Sequence, residues 1–381
     1  MITKSAKKVV FLTNILPPYR LSVFRLLSKS YSEFKVLLSA NNEKNRSWKI
    51  NTSGIDVEIQ KNISLIGNNK HPIGFDEKGT IHIPFDTVTK LFTIKPDVIV
   101  TAEFGLRTLF ASVYKLFIPK SKFIVYADLS EHTEGGRGVL RRLIRKYILL
   151  YASSVIVNGS AGERYIRNTL KYKGNIFKVP YPSDSVFIEN HNVKNNVVND
   201  VDGLLTINLL YVGQLISRKG IIQFVKQLEE YSSNKQLRFN LILVGDGDLK
   251  DNISSLSSDK ISIKCKGQIE YSELFKFYLK TDISILPTLA DTWALVVNES
   301  MSCGVPVLGS KYSQAAEEMI NHRHNGWLYD PLSKEGFSNV MDEITVDVSS
   351  KLDEISSNAH ETAKNISANY VSLKMIDAIN G

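Results

Sequence analysis

Short apolar runs rich in Val and Ile alternate along this chain with longer stretches whose apolar residues recur at helical spacing. That alternation predicts an α/β protein built on parallel sheets. Residues 8–13, 34–39, 57–59, 97–101, 122–126 and 154–157 read as strands, with helices over 21–30, 106–117, 139–151 and 161–170 between them. Between 180 and 204 the periodicity stops and Pro, Ser, Asn and Asp take over, the composition of a linker. A second series follows, with strands over 209–212, 239–244, 261–265, 282–286 and 305–309 and helices over 221–231, 270–279 and 296–303. From 333 onward the pattern is helical, so the tail is expected to pack across the boundary between the halves. The reading is two doubly wound domains, 1–183 with a terminal helix at about 369–381, and 184–368. Such sheets bind ligands beyond the carboxyl ends of their strands, and two facing domains would set both edges along one crevice.

Composition narrows the class. The 381 residues include 47 Lys and Arg against 39 Asp and Glu, a net charge of +8, and 43% are hydrophobic. That balance excludes disordered, collagen-like and disulfide-stapled chains and supplies enough apolar surface for two cores. The two cysteines, Cys265 and Cys303, lie in apolar stretches, which suits a reducing compartment and leaves too few thiols for a zinc knuckle. The apolar run at 9–12 is too short for a signal peptide, and no run approaches a spanning helix, so a cytoplasmic enzyme is expected. Within 137–150, Arg137, Arg141, Arg142, Arg145 and Lys146 interleave with Leu140, Leu143, Ile144 and Ile148. This segment suits two readings equally: an interfacial helix on the inner face of the cytoplasmic membrane, or a helix packed on its own sheet with a solvated basic face. No aromatic platform accompanies the charge, so nucleic acid is not expected as a partner.

Candidate chemistry gathers at strand ends in the second series. After 209–212 come Gly213, Arg218, Lys219 and Gly220, directly before a helix. Backbone N–H groups, a helix start and two cations suit a diphosphate. The spacing is not that of a P-loop, because Lys219 precedes the last glycine and Ile221 follows it. After 239–244, Gly245, Asp246, Gly247 and Asp248 contain the Asp-x-Asp spelling of a metal site. They read instead as a tight turn into a helix, with no His or further carboxylate to pair with them, and no metal is expected. Asp291 opens the most informative block, with Glu299 eight residues on and a helix starting between them. Carboxylates flanking such a start suit a nucleotide sugar, whose hydroxyls donate to them while its phosphates accept from the amides.

These motifs, followed by Asn325, Gly326, Trp327 and Leu328, resemble the family-four retaining glycosyltransferases of the GT-B fold over most of 209–331. The first half is similar in pattern alone. The resemblance implies two Rossmann-like domains facing across a cleft, a C-terminal helix returning to the first, a nucleoside-diphosphate sugar as donor, and no cofactor. Matched residue by residue, Arg218 and Lys219 would hold the donor diphosphate, with Gly213 and Gly245 in the donor loops. Glu299 would take the ribose hydroxyls, and Leu295 and Val296 would offer N–H groups to phosphate. Asp291 stands where the family's first Glu belongs and is expected on the transferred sugar, while Thr292, Trp293 and Ala294 replace the commoner Gly-Phe-Gly. Glu317 matches a frequent acidic position after the following strand.

The resemblance assigns the acceptor to the first domain. Relatives carry a His directly after the strand 122–126, where this chain has Ala127 or Asp128. Asp128 and Glu131 are candidates for contact with acceptor or sugar, and Glu103 lies on a second such edge. His132 belongs with them or is a surface loop residue. Arg20, expected in the loop after the first strand, either holds an acceptor phosphate or serves the start of a helix. The implied reaction is retaining transfer of a sugar to a hydroxyl of a growing, lipid-linked glycan, in polysaccharide, O-antigen or capsule assembly. The diphosphate would leave onto Arg218, Lys219 and the helix-end amides. The alternative, suggested by Asp291 and the missing His, is a non-catalytic nucleotide-sugar-binding subunit of a polysaccharide assembly complex.

Overall fold

Apolar runs such as Val9 to Leu12, Ile99 to Val100 and Phe123 to Val125 are buried on both faces, the condition met by the inner strands of a parallel sheet covered by helices. In the computed structural model, which describes residues 4–42, 50–190 and 204–381, the chain divides into two units. One comprises Met1–Pro182 with Ala368–Gly381 and the other Ser183–Ser367.

The first unit contains β1 (Ser5–Thr13), β2 (Tyr31–Leu38), β3 (Asp56–Ile59), β4 (Asn62–Lys70), β5 (Asp76–Pro84), β6 (Val98–Ala102), β7 (Lys122–Ala127), β8 (Ser154–Val157) and β9 (Asn175–Lys178). Seven of these form one sheet in the order β3-β2-β1-β6-β7-β8-β9, every pair parallel. The order reverses between β1 and β6, the switch point at which such sheets take ligands. The hairpin β4–β5 stands apart as an antiparallel pair. Pro18 opens the helix Pro18–Ser30 at its first position, where its missing N–H costs nothing and its fixed φ is already helical.

The second unit contains β10 (Leu205–Val212), β11 (Leu237–Val244), β12 (Ile261–Gly267), β13 (Ile283–Leu286), β14 (Val307–Ser310) and β15 (Gly326–Tyr329). They form a parallel sheet in the order β12-β11-β10-β13-β14-β15. Its core joins Tyr211, Phe224, Leu241, Ile285, Trp327 and Phe337. Trp327 donates to the carboxylate of Asp347 at 3.0 Å, which Arg323 grips with two nitrogens. Asn325 accepts from the Asn321 amide at 2.7 Å, so these two motif residues anchor β15.

Several expectations need correction. Part of the supposed linker is the helix Ser185–Glu189, capped by the Asp184 side chain, while 191–203 lie outside the described residues. The terminal helix expected at about 369–381 is Ala368–Asn380 and belongs to the first unit, whereas Lys334–Ser350 and Leu352–Asn365 stay with the second, because their apolar faces pack onto its sheet and its other helices. The helix expected at 270–279 is a short turn, Tyr271–Glu273, followed by Phe275–Tyr278. The segment 161–170 is α-helical only to Arg164 and continues as the π-helical turn Tyr165–Thr169.

Candidate functional site

In the second unit β10 lies between β11 and β13, so the loops that follow these three strands meet at one edge. The first two are stitched together, Gly213 donating to Val244 at 2.9 Å and Leu215 to the Asp246 carbonyl at 2.9 Å. Gly245 has φ 132°, and a methyl there would run into the Gly213 carbonyl, so the two loops approach as closely as glycine permits. Asp246 accepts from the Gly247 amide at 3.0 Å, a local turn. Among the described residues no group of three or more His, Cys, Asp or Glu is arranged to hold a metal.

The cationic turn follows. Ser217–Lys219 is a single 3-10 turn closed by Gly220 in the left-handed conformation, φ 67°, after which the helix Ile221–Ser232 begins. A side chain at 220 would strike the Pro287 carbonyl, so this glycine lets the turn lie against the loop after β13. Leu289 donates to the Arg218 carbonyl at 2.9 Å, and Arg218 Nη1 returns a bond to Ala290 at 2.7 Å. Asp291 completes the seam. Its Oδ2 pairs with Lys219 Nζ and lies 3.7 Å from Arg218 Nη1, and its Oδ1 accepts from the Trp293 amide at 3.4 Å. Burial alone would push this carboxyl up, but Lys219 and Arg218 more than offset that and hold it below its usual range.

Beyond Asp291 the loop is clamped on both sides. Trp293 is buried, its indole donates to Asn298 at 2.8 Å, and its carbonyl accepts from Ser313 Oγ at 2.6 Å and the Ala315 amide at 3.0 Å. Ala294 takes φ 82°, a conformation that costs a residue with a Cβ roughly 1–2 kcal/mol and that these clamps sustain. Leu295 and Val296 then lead into the helix Val296–Ser302. Glu299, in its first turn, is buried and accepts from Tyr278 Oη at 3.0 Å. Burial raises its carboxyl to about 7, against the lowering effect of Tyr278, with Asp184 adding to the rise. Glu317 sits half-buried in the first turn of Gln314–Met319.

The edge of the first unit is of another kind. Arg20 lies not in a loop but in the helix Pro18–Ser30, because Pro18 starts that helix earlier than the apolar pattern indicated. It is buried, donates to Tyr181 Oη at 2.8 Å, lies 3.6 Å from Asp128 Oδ2, and packs over the rings of Tyr126 and Tyr181. Tyr181 in turn donates to the Asp128 carboxylate. Arg20 and Asp128 are thus brought together through an aromatic cluster that the sequence reading missed, since Tyr126 read as part of a buried strand and Tyr181 as the start of the linker. Glu103 has φ 65°, its amide bonded to Tyr126 at 2.7 Å and its carboxylate 3.4 Å from Asn14 Nδ2. Arg107, also missed, ties Asn14, Ser39 and the Ala102 carbonyl together at 2.5–2.8 Å. Glu131 is drawn aside by Arg164 at 2.7 Å, with His132 beside it at 3.7 Å.

The helix Val139–Tyr151 shows features of both readings, burying Ile148 and Leu149 in its own unit's core and exposing Arg142 and Lys146 beside apolar residues. Leu140, Leu143 and Leu150 are 72%, 57% and 78% exposed, whereas Arg145 turns inward onto Glu134 at 2.6 Å and Tyr165 at 2.7 Å. No helix among the described residues is long and apolar enough to cross a membrane.

Comparison with known proteins agrees with this architecture. Residues 206–362 match the family described as Glycosyl transferases group 1, a span covering most of the second unit. An uncharacterized glycosyltransferase of Haemophilus influenzae is 24% identical over 280 residues, 69% of this chain and 75% of that protein. The GalNAc-alpha-(1->4)-GalNAc-alpha-(1->3)-diNAcBac-PP-undecaprenol alpha-1,4-N-acetyl-D-galactosaminyltransferase of Campylobacter jejuni is 22% identical over 203 residues, 52% of this chain and 53% of that one. Among solved structures, Anabaena Alr3699/HepE in complex with UDP superposes with a TM-score of 0.70 at 18% identity, covering 98% of this chain and 99% of the other. The fold is GT-B, two α/β domains on parallel sheets.

Proposed function

We propose that this GT-B chain, whose second unit matches the group 1 glycosyltransferases, moves a sugar from a nucleoside-diphosphate sugar to a hydroxyl of a growing, lipid-linked glycan, with retention at the anomeric carbon. The observation that carries the reading is the seam at the edge of the second sheet. Arg218 and Lys219 sit on a glycine-closed turn hydrogen-bonded to the loop that leads through Asp291 to Glu299. Two cations against one carboxylate leave a net positive pocket rim for a diphosphate. As the glycosidic bond breaks, the leaving diphosphate gains charge, and Arg218 and Lys219 are fixed in advance to stabilise it. Glu299 accepts ribose hydroxyls, with Tyr278 holding one of its oxygens in place. Asp291 serves the transferred sugar, and the Leu295 and Val296 amides add donors to phosphate. The chemistry asked of these residues involves no metal.

The acceptor belongs to the first unit, where Tyr181 and Arg20 orient Asp128 and the Asn14–Arg107–Glu103 network shapes the neighbouring loop. The helix Val139–Tyr151 meets an anionic lipid surface, its exposed leucines entering the interface and Arg142 and Lys146 facing the headgroups. Two relatives support the substrate classes: the Campylobacter protein is named for an undecaprenol-diphosphate glycan, and the Anabaena protein was solved with UDP.

The test is to incubate purified protein with UDP-, GDP- and TDP-sugars and lipid-linked acceptors. Nucleoside diphosphate should be released only with acceptor present, and the product should keep the donor's anomeric configuration by NMR. Nucleotide-sugar binding without release under any pairing would favour the non-catalytic subunit.

A further inference from the structure

Resting on that donor-site reading, we propose that Asp291 is the built-in counter-anion of the diphosphate cradle, competing with the incoming diphosphate for the same two cations. The carboxylate pairs with Lys219 and lies 3.7 Å from Arg218. The three side chains are 12%, 15% and 19% exposed, Asp291 least. At such burial, charges a few ångströms apart interact several-fold more strongly than in water. A diphosphate that reaches Arg218 and Lys219 therefore meets a fixed negative charge already seated between them, and must draw the cations away from it.

The geometry has a second consequence. Asp291 Oδ1 is tethered to the Trp293 amide, and the backbone of 291 is bonded to Tyr312 at 3.1 Å, so the carboxylate cannot swing far when the cations leave. It stays at the seam with its Oδ2 unsaturated, and a hydroxyl donor on the sugar can then take the place of Lys219. Donor binding thus exchanges one partner for another at a single oxygen. The carboxylate weakens binding of a bare nucleoside diphosphate and recovers that loss only with a sugar attached.

The test compares wild type, Asp291→Asn and Asp291→Glu by calorimetry with UDP, GDP and TDP, and by turnover with the matching sugar. Asp291→Asn should bind its nucleoside diphosphate about three- to tenfold more tightly while turnover falls. Asp291→Glu, which keeps the charge, should stay within about twofold of wild type in that affinity. Adding Lys219→Ala to Asp291→Asn should erase the gain. A merely structural role would lower affinity and turnover together. Unchanged or weaker diphosphate binding by Asp291→Asn, with wild type binding normally, overturns the proposal and leaves the donor site standing. A wild type that binds no nucleoside diphosphate removes the donor site itself. Asp291→Ser replaces the asparagine variant should circular dichroism show that one unfolded.

Discussion

The edges of the two sheets are built from the same residue types in opposite ways. In the second unit Arg218, Lys219 and Asp291 come from short loops after neighbouring strands, and their positions depend on positive φ at Gly220, Gly245 and Ala294. In the first unit Arg20, Asp128 and Tyr181 come from a helix, a strand end and the segment after β9, and are held by Arg20 packing over the Tyr126 and Tyr181 rings and by the Tyr181 hydroxyl on Asp128. The loop arrangement keeps two cations, Arg218 and Lys219, against one carboxylate; the helix-and-strand arrangement buries its one cation, Arg20, against a carboxylate held by Tyr181. A rim of cations binds anions, while an oriented carboxylate suits a neutral hydroxyl. On the proposed function, the contrast corresponds to a donor edge in the second unit and an acceptor edge in the first.

The sharpest break would come from Lys219→Ala, which should reduce turnover by about 10²–10³-fold, the range for losing one preorganised transition-state stabiliser, with the melting temperature little changed. Loss of fold rather than turnover would make Lys219 structural. Next, replacing Leu140 and Leu143 together by Ser should weaken co-sedimentation with anionic vesicles by about tenfold or more, given the apolar area removed. Turnover on a short water-soluble acceptor should be unaffected, and unchanged vesicle binding would return this helix to the ordinary surface. Asp128→Asn should lower turnover by about tenfold, the worth of one charged hydrogen bond, with nucleoside-diphosphate affinity at the wild-type value. A fall in that affinity instead would collapse the division between the two edges.

The smallest effect concerns Glu299. Its carboxyl is raised to about 7 from an ordinary 4.5, so the folded protein holds this proton more tightly than the unfolded chain. Stability then falls as pH rises from about 4.5 to 7, and the penalty persists above that window. Glu299→Gln should melt about 3 °C above wild type at pH 8 and together with it at about pH 4. Equal melting at both values would mean that Glu299 ionises unhindered.

How much of this was legible in the sequence follows from the same contrast. β1, β7, β10 and β11 were readable because each is an apolar run bounded by turn residues. The hairpin β4–β5 was not, since Gly67, Asn68 and Gly79 interrupt it and Ile63, Leu65, Ile66 and Ile81 are exposed rather than packed in a core. β15 was missed as a strand because its Gly-Trp-Leu-Tyr is short and its anchor, Asp347, lies 20 residues from Trp327. The turn at 213–220 was legible because its chemistry and its glycines are contiguous. Arg20 was misplaced because a proline that opens a helix and one that opens a loop look alike until the next turn is seen. Tyr278 escaped notice because an aromatic at a core-like spacing does not reveal where its hydroxyl points, and Tyr181 because it opens a stretch of linker composition. Asp291 was recognised, but as a sugar ligand; its grip on Lys219 needed the third dimension.

The most direct measurement is calorimetric titration of UDP, GDP and TDP into wild type and into the paired Arg218→Ala, Lys219→Ala variant. The account predicts that one of these nucleotides binds a single site on wild type and loses about a hundredfold in affinity, or about 3 kcal/mol, in the variant. Equal affinity in both proteins would place the diphosphate elsewhere and contradict the account.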